Sequence, residues 1–179
     1  MSARKSRVIL FINGPFGVGK TTVANLLAER MPGAMLYDPE IVGAFLRYVL
    51  APVEKVYDFQ DYALWPAMVV EVARMLKDEY RGTLIMPMTV WRREYFEKLT
   101  DDLKRVTPEL RCFRLTASED VLKQRILSRP DEEGSHEWYL SHLTVGLAAS
   151  QDPAFGVEIP TDNRTPAEVA NAIMGKLTC

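Results

Sequence analysis

A glycine-rich segment that ends in lysine and threonine constrains this chain more than any other feature. It has the sequence Gly-Pro-Phe-Gly-Val-Gly-Lys-Thr over residues 14–21, which is the spacing G-x-x-x-x-G-K-T. An apolar run over residues 8–12 precedes it, and a helical pattern over about 20–30 follows it. Glycines allow the backbone to wrap its N–H groups around a phosphate, and the following helix presents its positive end to the anion. The segment therefore predicts a nucleotide-phosphate cradle, the P-loop or Walker A motif.

The side chains of this loop have separate expected roles. Lys20 is expected to reach the terminal phosphates as a catalytic residue, and Thr21 to offer its hydroxyl to Mg²⁺. Phe16 is unusual in such a loop, where it either shields the phosphates or packs below them. The expected cofactors are ATP and Mg²⁺; the alternative is a tight strand-to-helix turn that binds no ligand. The predicted nucleotide-binding residues of the loop are Gly14, Pro15, Phe16, Gly17, Val18, Gly19, Lys20, Thr21 and Thr22.

Strand-like and helix-like patterns alternate along the rest of the chain. Strands are predicted at 8–12, 34–37, 83–88, 110–115 and 157–160, and the helices between them include 62–80 and 138–147. Five strands that alternate with helices predict an α/β fold, the three-layer P-loop NTPase architecture, with a five-stranded parallel sheet covered by helices on both faces. Ligands of such sheets bind beyond the carboxyl ends of the strands, so Asp38 and Thr89 should share one rim with the P-loop.

The composition is that of a single domain, which we assign to residues 1–179. Apolar residues make up 47% of the 179 positions, charged residues 26%, and the formal net charge is −2. No basic excess indicates a nucleic-acid partner. No apolar stretch approaches the roughly 20 residues of a transmembrane helix, which predicts a cytoplasmic protein while leaving peripheral membrane contact open. The sequence does not indicate an oligomeric state.

Short segments spread over nearly the whole chain carry a narrower signal than the loop does. They are residues 13–21, Tyr37-Asp38-Pro39-Glu40, residues 58–65, residues 80–82, Met86-Pro87-Met88-Thr89, residues 94–96 and Thr161-Asp162-Asn163. With these segments the chain resembles the tunicamycin-resistance protein family, ATP-binding relatives of the small P-loop kinases. The resemblance implies a small-molecule or nucleotide kinase-like domain with a lid, and resistance to tunicamycin, a nucleoside antibiotic.

The resemblance leaves three activities open. The first is ATP-dependent phosphorylation of a hydroxyl of tunicamycin or of a similar nucleoside or sugar. The second is sequestration of the drug, with ATP setting the conformation and no transfer. The third is a metabolic small-molecule kinase with another acceptor.

Charged residues on the expected rim supply further candidates. Asp38 follows the second strand, where it would orient or deprotonate the acceptor hydroxyl; its alternative role is an N-cap of the next helix. Arg125 and Arg129 lie one helical turn apart before a lid at about 129–142, where arginines neutralise charge on the transferring phosphoryl group. Their alternative is a solvated helix surface. Asn163 follows the last strand, near the expected adenine site, although ordinary turn chemistry accounts for it equally well.

An aromatic segment at about 39–66 is the predicted acceptor site. Its rings could stack on a base or line a groove, and core packing is the competing explanation for about half of them. Polar residues among the rings are candidates for sugar contacts. The predicted substrate-binding residues are Arg47, Phe59, Gln60, Asp61 and Trp65.

The end of the third strand departs from the usual P-loop pattern. Many P-loop NTPases have an Asp there that helps to hold Mg²⁺, whereas this chain has Thr89. Either water and Thr21 hold the metal, or Asp38 is recruited to it. In the second case Asp38 is not available as a general base, which favours binding over transfer.

Overall fold

Five parallel strands form a single sheet at the centre of the structure. The computed structural model describes residues 8–80, 82–131 and 134–177. The strands are β1 (Ile9–Asn13), β2 (Met35–Leu36), β3 (Leu84–Met88), β4 (Leu110–Thr116) and β5 (Val157–Pro160). Their order across the sheet is β2-β3-β1-β4-β5. Because β1 is the central strand, the loop that follows it opens in the middle of the carboxyl rim, with β3 on one side and β4 on the other.

Helices connect the strands and cover both faces of the sheet. Within the described ranges they are α1 (Lys20–Arg30), α2 (Pro39–Leu50), α3 (Trp65–Tyr80), α4 (Arg93–Val106), α5 (Glu119–Leu127), α6 (Ser135–Ser141), α7 (Leu143–Gln151) and α8 (Pro166–Leu177). Two short 3-10 helices lie at Phe59–Asp61 and Pro153–Phe155. No helix in the described part of the chain is both long and apolar enough to cross a membrane.

The alternation of side chains along β1 produces two hydrophobic cores. Ile9 and Phe11 face a core formed with α2, α3 and α4. Leu10 and Ile12 face the opposite core, formed with α1, α5 and α8. All five residues of β1 are buried, as expected for a parallel strand covered on both faces. The predicted three-layer α/β fold with a five-stranded parallel sheet is confirmed.

Two predicted helix boundaries were wrong. The predicted helix at 138–147 is two helices that meet at His142, because the Ser141 hydroxyl and the His142 ring both contact the Trp138 carbonyl and compete with the helix backbone. The helix predicted at 62–80 begins at Trp65. The chain before it forms a 3-10 turn, which the Asp58 side chain caps through the Gln60 N–H.

Candidate functional site

The loop after β1 has the backbone that a phosphate cradle requires. Gly19 has φ 99° at the start of α1, a left-handed backbone conformation that residues other than glycine rarely adopt. A Cβ added at Gly14 would lie 2.8 Å from the Leu115 carbonyl oxygen, so only glycine fits there against β4. The first turn of α1 contains no acidic residue, which leaves the positive end of the helix open to an anion.

Lys20 is buried against the loop that it closes. Its Nζ donates to the carbonyl oxygens of Gly14 at 2.9 Å and Pro15 at 3.0 Å, and the side chain is 9% exposed. Burial lowers the pKa of the Lys20 ammonium to about 8, opposed by the charges of Glu40 and Asp38. Among the described residues, the hydrogen-bond partners of this buried ammonium are two backbone carbonyls, so it is suited to meet phosphate oxygens. The loop and Lys20 together therefore fit the triphosphate of a nucleotide.

A cavity of about 900 Å³ opens beside the loop, towards α2 and the chain around residues 56–60. Its size is typical of small-molecule sites. The site residues predicted from sequence that it brings together are Phe16, Gly17, Gly19, Lys20, Thr21, Thr22, Arg47, Phe59, Gln60 and Arg129. The predicted site residues that do not line it are Gly14, Pro15, Val18, Asp38, Asp61, Trp65, Arg125 and Asn163.

Two carboxylates at the start of α2 differ in where they lie. Asp38 caps the helix, since its Oδ1 accepts from the Glu40 N–H at 2.9 Å. Glu40 lines the cavity together with Lys20. Burial raises the pKa of both carboxyls, and the Lys20 ammonium opposes the rise in each. Sequence reasoning missed Glu40, although its position two residues after Asp38 on the same rim was a usable signal.

Three polar residues from two chain segments meet at one wall of the cavity. Asp58 Oδ1 accepts from the Gln60 N–H at 2.9 Å, and Gln60 Nε2 donates to the Thr89 carbonyl oxygen at 3.1 Å. All three residues line the cavity and are at most 7% exposed. Burial also raises the pKa of the Asp58 carboxyl. Gln60 was a predicted substrate contact, whereas Asp58 and Thr89 were not, because a single sequence does not show that they meet.

Arg47 and Phe59 form the outer wall of the cavity, between α2 and the chain around residues 56–60. Arg47 Nη2 donates to the Tyr57 carbonyl oxygen at 2.7 Å, and its guanidinium lies 5.8 Å from the centre of the Phe59 ring. Gly43 allows α2 to approach that ring, since an added Cβ would lie 2.3 Å from Phe59 Cδ2. The wall therefore depends on glycine at position 43 for close packing, although the helical backbone there does not itself require glycine.

The other two predicted substrate residues have structural partners outside the cavity. Asp61 pairs with Arg92 and accepts from the Tyr95 hydroxyl at 2.7 Å, which holds the pKa of its carboxyl below the usual range. Trp65 is 1% exposed in the core, and its Nε1 donates to the Pro39 carbonyl oxygen at 3.2 Å. Trp65 can therefore support α2 but cannot contact a ligand directly in this structure.

A second cavity, of about 280 Å³, lies on the opposite side of the loop. Arg125 lines it and donates to Thr161, to Oγ1 at 2.9 Å and to the carbonyl oxygen at 3.0 Å. Arg129 lines both cavities and also acts on Lys20, whose pKa it lowers. Asn163 has a left-handed φ of 54° in the turn after β5 and does not line this cavity.

Aromatic rings from α6 and from the chain after β3 pack against Phe16 of the loop. The Phe16 ring lies 5.0 Å from the Trp138 ring and 5.1 Å from the Tyr139 ring, both on α6. Trp91, which follows β3, lies 6.1 Å from Phe16. His142 continues the cluster with its ring 4.4 Å from that of Trp138. Part of the predicted lid, residues 132 and 133, lies outside the described residues. Trp91 and Trp138 were not predicted, since they are distant from the loop in sequence.

The described residues include no group of three or more His, Cys, Asp or Glu side chains that could hold a metal ion. Mg²⁺ in phosphoryl-transfer sites is usually held by one or two protein oxygens together with phosphate oxygens and water. Thr21 is exposed in the cavity lining and can supply such an oxygen.

Comparison with known proteins shows the family and the fold of this chain. The family described as AAA domain matches residues 9–150. The tunicamycin resistance protein of Deinococcus radiodurans has a TM-score of 0.75 and 28% identity, with 95% of each chain covered. A gluconokinase from Sinorhizobium meliloti 1021 has a TM-score of 0.64 at 20% identity, over 98% of this chain and 92% of that one. A shikimate kinase from Acinetobacter baumannii, solved with shikimate, has 0.64 at 18%, over 95% and 92%. No protein with a curated description matches the sequence.

The family match spans most of the chain, and the structural similarity extends over nearly all of it. The resemblance to the tunicamycin-resistance proteins is thereby confirmed. The gluconokinase and the shikimate kinase, at 20% and 18% identity, share the fold of this chain. The chain therefore belongs to the AAA domain family, as a P-loop protein with a kinase-like fold.

Proposed function

We propose that this protein is an ATP-dependent phosphotransferase that acts on a hydroxyl of a small molecule, tunicamycin or a similar nucleoside or sugar. The observation that carries the proposal is a single cavity that joins the phosphate loop to an acceptor side. Lys20 and Thr21 line one part of it, and Glu40, Asp58 and Gln60 line another. A phosphotransferase needs both halves in one enclosure so that acceptor and phosphate meet.

The residues have distinct roles in this proposal. ATP supplies the phosphoryl group, so that an O–P bond forms on the acceptor hydroxyl and ADP leaves, while Mg²⁺ neutralises phosphate charge. The loop amides and Lys20 hold phosphate oxygens, and Thr21 offers an oxygen to the metal. Arg129 neutralises charge from its position between the two cavities. Arg125 keeps Thr161 beside the loop.

The proton of the acceptor hydroxyl passes to a carboxylate at the start of α2. Asp38 is the residue predicted from sequence, but its Oδ1 caps α2 and its side chain does not line the cavity. The lining of the cavity favours Glu40 for this role. Burial raises the pKa of Glu40, which makes its ionised form a stronger base than an exposed glutamate.

Tunicamycin is proposed as the acceptor because of the similarity to the Deinococcus radiodurans tunicamycin resistance protein. The cavity volume of about 900 Å³ is large enough for a sizeable part of such a molecule. Binding of the drug without transfer is the second candidate. Thr89 in place of an Asp at the end of β3 favours it, since one metal-holding carboxylate is missing. A cytoplasmic location, where ATP is available, belongs to the same proposal.

One experiment separates these functions. The protein is incubated with Mg-ATP and tunicamycin, and the drug is examined by mass spectrometry for the mass of one added phosphoryl group. Lys20→Met is the matched inactive variant. A phosphorylated drug supports transfer, and a bound drug of unchanged mass rejects transfer in favour of sequestration. Nucleotide binding without drug binding supports the remaining candidate, a small-molecule kinase that acts on another acceptor.

A further inference from the structure

Two oxygens at one wall of the cavity lack hydrogen-bond partners. Among the described residues, Asp58 Oδ2 and Thr89 Oγ1 are the buried side-chain polar atoms with none. Asp58 is 7% exposed and Thr89 is 3% exposed, and both oxygens are almost fully covered by protein. The rest of each residue is well held, because Asp58 Oδ1 caps the 3-10 turn and the Thr89 carbonyl accepts from Gln60.

Such atoms are costly in a folded protein. A buried polar atom without a partner has lost its bonds to water and gained nothing in return. Gln60 joins the two residues, and all three line the cavity. Both unpaired oxygens therefore belong to residues that line one side of a ligand-sized space.

We propose that Asp58 Oδ2 and Thr89 Oγ1 form a subsite for hydroxyl groups of the acceptor. This inference rests on the proposed phosphotransferase function and specifies which face of the acceptor lies at this wall. A carboxylate oxygen requires a donor, and a threonine hydroxyl can donate or accept, so adjacent hydroxyls of a sugar or polyol satisfy both. Glu40 adds negative charge, since it lines the same cavity and interacts electrostatically with Asp58. The face of the ligand at this wall is therefore uncharged, and a carboxylate is repelled from it.

The two cations that act on Asp58 do not reverse this preference. Arg47 and Arg92 both act on Asp58, lowering its pKa against the effect of burial. Arg92 is paired with Asp61, and Arg47 donates to the Tyr57 carbonyl oxygen at 2.7 Å on the outer wall. A negative group of the ligand can therefore meet Arg47 only at the outer end of the cavity.

The test uses Thr89→Val, which removes the hydroxyl and keeps the shape. We expect the melting temperature of the ligand-free protein to stay the same or rise, by about 2–4 °C, because an unpaired polar atom is removed. Thr100→Val is the matched control. Its buried hydroxyl donates to the Phe96 carbonyl oxygen at 2.9 Å, so its loss should lower the melting temperature. A clear fall in melting temperature for Thr89→Val overturns the inference without any acceptor, since it shows a structural role.

The second measurement is calorimetric binding of tunicamycin and of Mg-ATP to the wild type, Thr89→Val, Asp58→Asn and Thr100→Val. We expect the first two variants to bind tunicamycin about 10-fold or more weakly, as sites built for hydroxyls lose affinity when a partner is removed. Mg-ATP binding should be unchanged in all three variants. Loss of Mg-ATP binding in Thr89→Val alone assigns its hydroxyl to the metal and overturns the inference.

Failure of the proposed function gives a different pattern. If wild-type protein binds Mg-ATP but not tunicamycin, the proposed acceptor is wrong, and D-glucitol and D-gluconate are compared as acceptors by mass spectrometry. These differ only in an alcohol against a carboxylate at one end. Preference for glucitol supports the hydroxyl subsite, whereas preference for gluconate, or no use of either, rejects it.

Discussion

The side-chain nitrogen of Lys20 lies 2.9 Å from the carbonyl oxygen of Gly14, within the loop that Lys20 closes. Together with the bond to Pro15, this contact holds a buried ammonium against neutral partners. The buried charge of Lys20 therefore contributes little to the stability of the folded protein. Phosphate oxygens would be stronger partners than carbonyls, because both groups of the pair are then charged.

Lys20 should make the stability of the protein depend on pH. The pKa is about 8 in the folded state and 10.5 in the unfolded reference, so the unfolded state holds more protons between these values. Stability attributable to Lys20 therefore increases as pH rises from about 8 to 10.5. Below pH 8 the buried charge costs on the order of 3 kcal/mol. The measurement is the free energy of unfolding of Lys20→Met minus that of wild type, which should decrease across this range. A difference that is constant with pH contradicts the lowered pKa.

Glu40 and Asp38 should respond differently to loss of charge. Glu40→Gln should lower kcat by about 10²–10⁴-fold, the usual effect of removing a general base, with little change in ATP affinity. Asp38→Asn keeps an oxygen for the helix cap and should change kcat much less. The acidic limb of the kcat/KM profile should lie above the ordinary glutamate range, since burial raises the pKa of Glu40. If Asp38→Asn is the inactive variant and Glu40→Gln is not, Asp38 is the base after all.

Substitution of Arg129 should affect catalysis, whereas substitution of Arg125 should affect stability. Arg129→Ala should lower kcat by roughly 10²–10³-fold, because a charge that neutralises the transferring phosphoryl group is lost. Arg125→Ala should instead lower the free energy of unfolding by about 1–3 kcal/mol, since Thr161 loses two hydrogen bonds. Arg93→Ala serves as the control, as its exposed pair with Glu97 contributes little. Equal kcat losses for Arg125→Ala and Arg129→Ala, with unchanged stability, would contradict this division.

Gly43 should be required for the shape of the acceptor side. Gly43→Ala puts a methyl group against the Phe59 ring, so we expect a loss of about 1–3 kcal/mol from overpacking and a raised KM for the acceptor. Gly175→Ala is the matched control in α8, where an added Cβ, apart from its chain neighbours and its own helix backbone, meets no heavy atom of the described residues within 4 Å. That change should stabilise the protein by about 0.5–1 kcal/mol, as alanine favours helix over glycine. Thermal unfolding and acceptor kinetics of both variants test this, and a neutral Gly43→Ala would show that Phe59 moves freely.

The sequence predicted the sheet and the phosphate loop because both depend on local patterns. The loop is contiguous, and buried parallel strands are recognisable as short apolar runs. The cavity wall formed by Asp58, Gln60 and Thr89 does not depend on a local pattern. Asp58 and Thr89 are 31 positions apart in the sequence and are joined through Gln60. Trp65 shows the converse difficulty, as an aromatic residue beside a site and one in the core have the same helical spacing. Position in the segment at about 39–66 therefore indicated residues near the cavity, but not which side chains line it.

Because Trp138 packs against Phe16 of the phosphate loop, its intrinsic fluorescence can report on the loop. The chain has three tryptophans. Trp65 is buried in the core, whereas Trp91 and Trp138 pack against the Phe16 ring of the phosphate loop. Indole emission depends on the polarity and mobility of its surroundings, so two of the three fluorophores will register an occupant of the loop and the third will provide a steady background. Nucleotide titrations can therefore be followed by intrinsic fluorescence, without a label.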